Sequence, residues 1–197
     1  MSKLIVMPVD DPSATLLSTS DPAAIAADLG AVGVTFEQWT ADATLAHDAG
    51  QDAVMSAYAD DVARIRDMGF GTVDVVRLHG DPNDAEFMSN AAAARAKFLS
   101  EHAHADDEVR FFVEGSGAFY LRLTRPDGIE AVHVALCEQG DFISVPKDTL
   151  HWFDMGTAPS FAAIRFFQIE DGWVGEFTGD AIAERFPTFD ELVAAAG

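Results

Sequence analysis

The 197-residue sequence predicts a mainly β fold with α-helices, in which a sandwich or small barrel follows a largely helical N-terminal half. From residue 109 onward, short runs rich in β-branched and aromatic residues alternate with tight-turn sequences. Before residue 100, apolar residues recur at intervals of three and four, which is the spacing of an amphipathic helix. No repeat and no long linker divides the chain, so a single domain over residues 1–197 is expected.

The N-terminal half contains three predicted helices and two predicted strands. A short helix follows the capping residue Asp21, with proline in its first turn and glycine at its exit. The clearest helical pattern covers residues 52–68 and ends before Gly69. A third helix is predicted to begin at residues 81–83 and to deliver the chain to His102. The two strands are predicted over residues 35–39 and 72–78.

The C-terminal half is predicted to consist of six strands and a last helix. Glycine, proline and aspartate cluster between the strands, for example at residues 115–117 and 125–128, and indicate turns. A last helix is predicted over residues 180–186. We therefore expect a largely helical annex (1–100), a β-barrel core (101–179) and a C-terminal helix and tail (180–197). The six predicted strands cover residues 109–113, 118–124, 129–137, 142–145, 150–153 and 161–169.

The charge balance argues against two classes of binding partner. The chain has 12 Lys+Arg against 33 Asp+Glu, a net charge of −21, so nucleic acid and anionic membranes are not expected as partners. The single cysteine, Cys137, excludes an intrachain disulfide and fits a reducing compartment. The N-terminal apolar run is too short for a signal peptide, and no run reaches the ~20 residues of a membrane span. A cytoplasmic protein is expected.

The segment HAHADDE, residues 102–108, contains a candidate metal site. In a strand, His102 and His104 would project from one face, and Glu108 would share it by parity. A straight strand would separate His104 from Glu108 by about 13 Å, whereas ligand atoms lie ~2.0–2.2 Å from a shared ion. The chain must therefore bend at residues 105–107 if this is a metal site. The alternative is a histidine-rich loop that faces solvent.

A fourth ligand would come from one of the other histidines. His47, in a polar helical region, and His79, at a strand end, are poorly placed by pattern. His133 lies in the middle of a predicted strand and is interpreted as a hydrogen-bonded barrel residue. His151 follows a proline-containing turn and precedes two aromatic residues, so it would lie at the start of a strand, next to aromatic side chains.

The spacing of these residues resembles the two motifs of the cupin superfamily. Two histidines one residue apart, a glutamate after three more and then Gly115 match the first motif; Gly140, Pro146 and His151 match the second. The segments HAHADDEVRFFVEGSG and DFISVPKDTLHWFDMG, with FAAIRFFQIEDGWVGEFTGD behind them, resemble the acireductone dioxygenase family within that superfamily. GVTFEQW, at residues 33–39, is also similar to that family's N-terminal region.

The resemblance implies a fold and a metal centre. The fold would be a cupin double-stranded β-helix, or jelly-roll barrel, with the N-terminal helices packed outside. One Fe²⁺ or Ni²⁺ per chain would be bound by His102, His104, Glu108 and His151. Arg110 would stabilise the substrate dianion, because a guanidinium stays charged and suits paired oxygens. A surface ion pair from Arg110 to a nearby carboxylate at 106, 107 or 114 is the alternative.

The resemblance also implies a reaction. Acireductone (1,2-dihydroxy-3-oxo-5-methylthiopentene) would react with O₂ in methionine salvage, giving 4-methylthio-2-oxobutanoate and formate with iron. With nickel the products would be 3-methylthiopropanoate, formate and carbon monoxide. Phe98, Phe153 and Trp173 resemble the family's substrate-pocket aromatics, although core packing explains them equally well. A monomer is expected. Two other hypotheses are a different cupin enzyme that shares the ligands, and a non-catalytic cupin with a closed metal shell.

Overall fold

The computed structural model describes residues 1–46, 48–169 and 174–195. In these residues, eleven strands and five α-helices confirm the predicted mainly β fold with helices. The helices are α1 (Pro22–Ala31), α2 (Gln51–Ala57), α3 (Ala59–Asp67), α4 (Ala85–Leu99) and α5 (Phe189–Ala194). The strands are β1 (Lys3–Pro8), β2 (Leu17–Thr19), β3 (Thr35–Gln38), β4 (Thr72–Leu78), β5 (His102–Ala103), β6 (Glu108–Thr124), β7 (Glu130–Glu138), β8 (Asp141–Val145), β9 (Leu150–Asp154), β10 (Phe161–Phe167) and β11 (Glu176–Phe177).

The strands form two antiparallel sheets that share the long strand β6. The C-terminal part of β6 belongs to a sheet in the order β11-β5-β9-β6-β7-β1-β2. Its N-terminal part belongs to a sheet in the order β4-β10-β6-β8-β3. A strand that passes from one sheet to the other forms a corner, so the two sheets enclose a common interior.

Strand β6 is continuous where the sequence predicts a turn at residues 115–117, so that prediction is wrong. Gly115 has φ +62°, and the pairing with β10 shifts by one residue in this region. Arg110, which precedes the shift in the chain, lines the barrel interior. Phe119, which follows the shift, also belongs to the apolar cluster in the interior. The extra residue of a β-bulge bends the strand and changes which residues point inward.

Three apolar clusters explain how the layers pack. The interior cluster contains residues from both sheets and from α1, which packs against the interior through Ile25 and Leu29. Helices α2 and α3 cover the outer face of the sheet that contains β10, through residues such as Val54 and Ile65. The C-terminal segment covers the outer face of the other sheet, where Phe186 packs on Trp152. Helices α2 and α3 therefore lie outside the barrel, as the resemblance implies for the N-terminal helices, whereas α1 also contributes to the interior cluster.

The sequence predicts one continuous helix over residues 52–68, and this prediction is wrong because the structure has two shorter helices there. Helices α2 and α3 meet at Tyr58, whose backbone (φ −117°, ψ 33°) leaves the helical region. The Tyr58 ring packs edge-on against Phe111, with centroids 5.5 Å apart. Val54 and Val62, one from each helix, are buried in the same cluster. Packing on the sheet thus outweighs the propensity for one straight helix.

Two other helix ends differ from the sequence predictions. Helix α4 begins after Asp84, whose carboxylate accepts hydrogen bonds from the backbone of the first turn, whereas Asp81 forms a tight turn with Asn83. Residues 182–185 form a short 3₁₀ helix instead of the predicted helix over 180–186. The last α-helix follows Thr188, which forms a capping box.

The first 100 residues also contribute strands to the barrel. Strand β1 is a strand that the sequence reasoning missed, and it pairs with β7 along its whole length. Strand β4, predicted correctly over residues 72–78, pairs with β10. The helical annex expected over residues 1–100 is therefore joined to the barrel core by β-sheet pairing. In the described part of the chain, no helix has the length and apolar character to span a membrane.

Candidate metal centre

Strands β5, β6 and β9 bring four potential metal ligands together. His102 lies in β5, His104 follows it, Glu108 begins β6, and His151 lies in β9 directly opposite His102. One potential ligand atom from each of the four residues lies within 4.8 Å of the others. The chain bends at residues 105–107, as the distance argument requires. The four side chains are buried, with exposed fractions between 1% and 7%.

Each imidazole is held by a backbone carbonyl oxygen. The Nδ1 atoms of His102, His104 and His151 each lie 2.7 Å from such an oxygen. A carbonyl oxygen can only accept a hydrogen bond, so each Nδ1 carries a proton, and Nε2 is the ring atom left to face a metal ion. Such hydrogen bonds fix the tautomer and orientation of metal-binding histidines. The three acceptors belong to Ser100, Val174 and Thr149.

The carboxylate of Glu108 completes the set. Its Oε2 lies 2.6 Å from Nε2 of His104 and 3.1 Å from Nε2 of His151. Burial acts to raise the pKa of Glu108, but the Arg110 guanidinium and the two imidazoles outweigh it and hold the pKa well below its usual value. Glu108 is therefore ionised, which is the form that binds a cation.

The protonation of the histidines is set by burial and by Glu108. Burial, with the neighbouring His151, lowers the pKa of His102 to about 4, so this imidazole is neutral at neutral pH. Burial acts to lower the pKa of His104, but its hydrogen bond to Glu108 outweighs this and raises it. In that hydrogen bond, Nε2 of His104 donates a proton to Glu108. A divalent ion bound to Nε2 would take the place of this proton.

These observations identify a metal-binding site. Three imidazole nitrogens and one carboxylate oxygen suit iron, nickel, manganese or zinc. The donors are buried, oriented by their hydrogen bonds and converge on one point. Around an octahedral ion, four protein ligands leave two positions for other molecules, so the donor set suits a reactive centre.

Arg110 lies next to the four ligands and is buried, not part of a surface ion pair. Its Nη2 donates to Oε1 of Glu108 at 2.7 Å, and its Nη1 donates to the carbonyl oxygen of Val109 at 2.9 Å. Burial lowers the pKa of Arg110 to about 10, and the side chain remains a cation at neutral pH. The alternative partner Glu114 is paired with Arg77.

A cavity runs from Glu108 and Arg110 into the barrel. Phe98 and Phe153, two of the three predicted pocket aromatics, line it; Trp173, the third, lies outside the described residues. Arg165 also lines the cavity and was missed, although its alternation with Phe161 and Ala163 was visible in the sequence. Asp74 holds the Arg165 guanidinium through two hydrogen bonds, of 2.6 and 2.5 Å. The remaining lining residues are Val76, Phe112, Phe119 and Met155.

The other histidines are not part of this site, as far as the structure describes them. His79 contacts the hydroxyl of Ser160 at 3.0 Å, and His47 lies outside the described residues. His133 is fully buried, but neither ring nitrogen has a hydrogen-bond partner in the described part of the chain. Its Nε2 lies 3.6 Å from Oδ1 of Asp28. His133 is therefore a buried residue of the barrel strand β7, apart from the four potential ligands.

Comparison with known proteins agrees with this geometry. The sequence profile of the ARD/ARD' family matches residues 4–175. An acireductone dioxygenase from Parvibaculum lavamentivorans is 54% identical over 192 residues, covering 96% of this chain and 98% of the relative. Acireductone dioxygenase 1 from Nocardia farcinica is 50% identical, covering 98% and 100%. The solved structure of an acireductone dioxygenase from Bacillus anthracis, with a cadmium ion in its active centre, superimposes with a TM-score of 0.70 at 25% identity, covering 90% and 98%. The structural match confirms the expected cupin barrel.

Proposed function

The chain belongs to the ARD/ARD' family and is a dioxygenase of acireductone, and we propose that Fe²⁺ or Ni²⁺ is its metal. The observation that carries this proposal is the convergence of four buried donors, three of them oriented by carbonyl hydrogen bonds. We assign His102, His104, Glu108 and His151 as the ligands. A metal ion in the active centre of the Bacillus anthracis relative supports the assignment.

The cavity suits the chemistry of acireductone. Its polar end carries Arg110, next to the proposed ligand Glu108, and its inner walls are aromatic and aliphatic. We assign the enediol oxygens of the substrate dianion to the polar end, where a buried guanidinium interacts strongly with paired oxygens. The methylthio tail then lies against Phe98 and Phe153, because sulfur and methylene groups pack well on aromatic rings.

Arg110 has two roles in this arrangement. Its hydrogen bond to Oε1 fixes the carboxylate of Glu108, while the remaining guanidinium charge stabilises the negative charge of the substrate. Burial excludes water from both groups, so these charges interact in a medium of low polarity and more strongly than in water. The side chain arrives already oriented, because Val109 accepts another of its hydrogen bonds.

A divalent ion held by His102, His104, Glu108 and His151 would act as a Lewis acid that orients the substrate's oxygens for their reaction with O₂. With iron we expect 4-methylthio-2-oxobutanoate and formate, and with nickel 3-methylthiopropanoate, formate and carbon monoxide. The same nitrogen and oxygen donors accept both ions, so metal supply decides which form is present.

We also propose that the protein acts in methionine salvage, in the cytoplasm and as a monomer. The net charge of −21 supports the absence of nucleic-acid and anionic-membrane partners, since no excess of basic residues is present to attract them. Sedimentation velocity at micromolar concentration tests the oligomeric state directly, because a dimer would sediment faster than a 21.1 kDa chain.

The product assay tests the proposal. Chelator-treated protein is loaded with Fe²⁺ or Ni²⁺ and given acireductone and O₂, and the products are identified. Carbon monoxide from the nickel form alone would support both proposed routes. A protein that binds metal but turns over acireductone with neither ion would instead be a different cupin enzyme or a non-catalytic metal protein.

A further inference from the structure

The carboxylate of Asp106 lies at the bend between the ligands His104 and Glu108. It is buried, with an exposed fraction of 6%, and its hydrogen bonds come from backbone N–H groups. Oδ1 accepts from the N–H of Asp107 at 2.9 Å. Oδ2 accepts from the N–H of Gln168 at 2.7 Å and of Ile169 at 3.2 Å. Hydrogen bonds to an ionised acceptor are among the strong ones in proteins.

These contacts join the bend to the end of another strand. Strand β5 ends at Ala103 and β6 begins at Glu108, so the intervening residues lie outside the sheet ladder. Strand β10 ends at Phe167, immediately before the two N–H groups that reach Oδ2 of Asp106. The bend is therefore fixed to the barrel wall by a side chain, where no ladder hydrogen bond is available.

A second contact fixes the other side of the bend. Oδ1 of Asp107 accepts from the N–H of Lys147 at 2.9 Å, and the N–H of Asp148 donates to the carbonyl oxygen of His104 at 2.8 Å. These bonds join the bend to the turn that precedes His151. Both neighbouring aspartates thus hold the bend, but Asp106 uses both carboxylate oxygens and Asp107 uses one.

We propose that Asp106 is a positioning residue for the metal centre. By fixing the bend it sets the place of Glu108 relative to His102 and His104, and so the affinity for the ion. Residues that orient metal ligands typically change metal affinity or activity by about 10- to 100-fold when they are replaced. The inference rests on the metal site of the proposed function but not on its substrate, so metal affinity is the measurement.

Replacement of each aspartate by asparagine separates the role of Asp106 from that of Asp107. In Asp106→Asn, one of the two oxygens becomes an NH₂ group that faces a backbone N–H donor, so one set of hydrogen bonds is lost. In Asp107→Asn, the amide oxygen still accepts from Lys147. The two variants remove the same charge at adjacent positions, so Asp107→Asn is the matched control.

The experiment titrates chelator-treated protein with Ni²⁺ by calorimetry and records the melting temperature of each apoprotein. We expect Asp106→Asn to weaken Ni²⁺ binding by about 10- to 100-fold and Asp107→Asn to leave it unchanged. Equal weakening in both variants would show an effect of charge and overturn the proposal. A lower melting temperature with unchanged affinity would show a structural role only, and would also overturn it.

A measurement on the unmodified protein covers the case in which Asp106→Asn does not fold. Because coupling is reciprocal, metal binding must strengthen the hydrogen bonds that fix the bend. Diamagnetic Zn²⁺ should therefore slow amide hydrogen exchange at Gln168 and Ile169 by a larger factor than at Ile25 in the remote helix α1. An equal factor at all three amides contradicts the proposal, whether or not acireductone is the substrate.

Discussion

His102 and His151 lie directly opposite each other across the antiparallel pair of β5 and β9. Their ring centroids are 4.5 Å apart, and both Nδ1 atoms donate to carbonyl oxygens two residues earlier in the chain. The register of this strand pair therefore brings together the two sequence motifs, one containing His102 and the other His151. A shift of this register by one residue would turn one imidazole to the opposite face and destroy the site.

Replacement of Arg110 by lysine tests its proposed role in binding the substrate. Lysine keeps the charge but loses the planar fork that donates to Glu108 and Val109. We expect kcat/KM to fall by about 100-fold, since a small misplacement of a binding group has an effect of this size. Oxygen uptake measures the rate, and metal analysis of the same sample must show one ion per chain. Wild-type kcat/KM in this variant would exclude Arg110 from the reaction.

Gly115 is required for the bend in β6. A Cβ there would lie 1.7 Å from the carbonyl oxygen of Ser160, and φ is +62°. We expect Gly115→Ala to lower the free energy of unfolding by about 3 kcal/mol or more, since a backbone clash adds to the left-handed strain. Gly128→Ala is the control, because its φ is +87° but no atom lies within 4 Å. It should cost about 1 kcal/mol in urea unfolding. Similar losses in both would refute the steric explanation.

Asp154 joins helix α4 and the C-terminal segment to the barrel. It is fully buried and accepts two hydrogen bonds from Arg95, at 2.7 and 2.9 Å, and one each from the N–H groups of Gly156 and Phe189. Removing one partner of a buried ion pair is strongly destabilising, so Asp154→Asn should lower the free energy of unfolding by about 3 kcal/mol at pH 7. Asp10→Asn, at an exposed position, should have little effect.

The same pair predicts a loss of stability in acid. Burial acts to raise the pKa of Asp154, but the hydrogen bonds from Arg95, Phe189 and Gly156 outweigh it and lower the pKa below that of the unfolded chain. The stabilisation is therefore complete above the unfolded pKa of about 3.9 and is lost as the pH falls through the lower folded value. The difference between wild type and Asp154→Asn apoproteins should shrink below about pH 4. A difference that persists in strong acid would contradict this linkage.

His133 predicts a second pH dependence, of different origin. Burial lowers its pKa, although Asp28 acts to raise it, and Arg125 opposes the charged form. Below about pH 6.5 the unfolded chain binds a proton that folded His133 does not, so the free energy of unfolding falls as the pH decreases. In the apoprotein, His133→Leu should flatten this slope between about pH 6.5 and 5. Part of the slope should remain, because the pKa of His102 is also lowered. Identical slopes for wild type and variant would contradict the argument.

Three of the candidate ligands, His102, His104 and Glu108, could be found from the sequence because their spacing is local, whereas His151 was assigned through the resemblance to the second cupin motif. Parity and strand rise required a bend at residues 105–107, and the structure contains it. The partners that hold the site could not be inferred in the same way. Asp106 reaches the end of β10, and His104 reaches Val174. Such contacts depend on how distant strands align, and single-sequence patterns do not specify that alignment.

The errors in the fold have the same origin. Tyr58 interrupts a helix because its ring packs on Phe111 of the sheet. The sequence around Gly115 favours a turn, yet in the structure Gly115 lies at a corner of a continuous strand. Strand β1 was missed because its short apolar run was weighed only as a possible signal peptide. In each case, long-range packing decides between local conformations that the sequence leaves similar in energy.

The central claim is that one metal ion held by His102, His104, Glu108 and His151 supports the reaction of acireductone with O₂. The most direct test is formate release and O₂ uptake by chelator-treated protein reconstituted with one equivalent of Fe²⁺ per chain. We expect formate in proportion to the O₂ consumed by wild type, and none from Glu108→Ala. Equal turnover by Glu108→Ala, or no formate from the iron-loaded wild type, would contradict the claim.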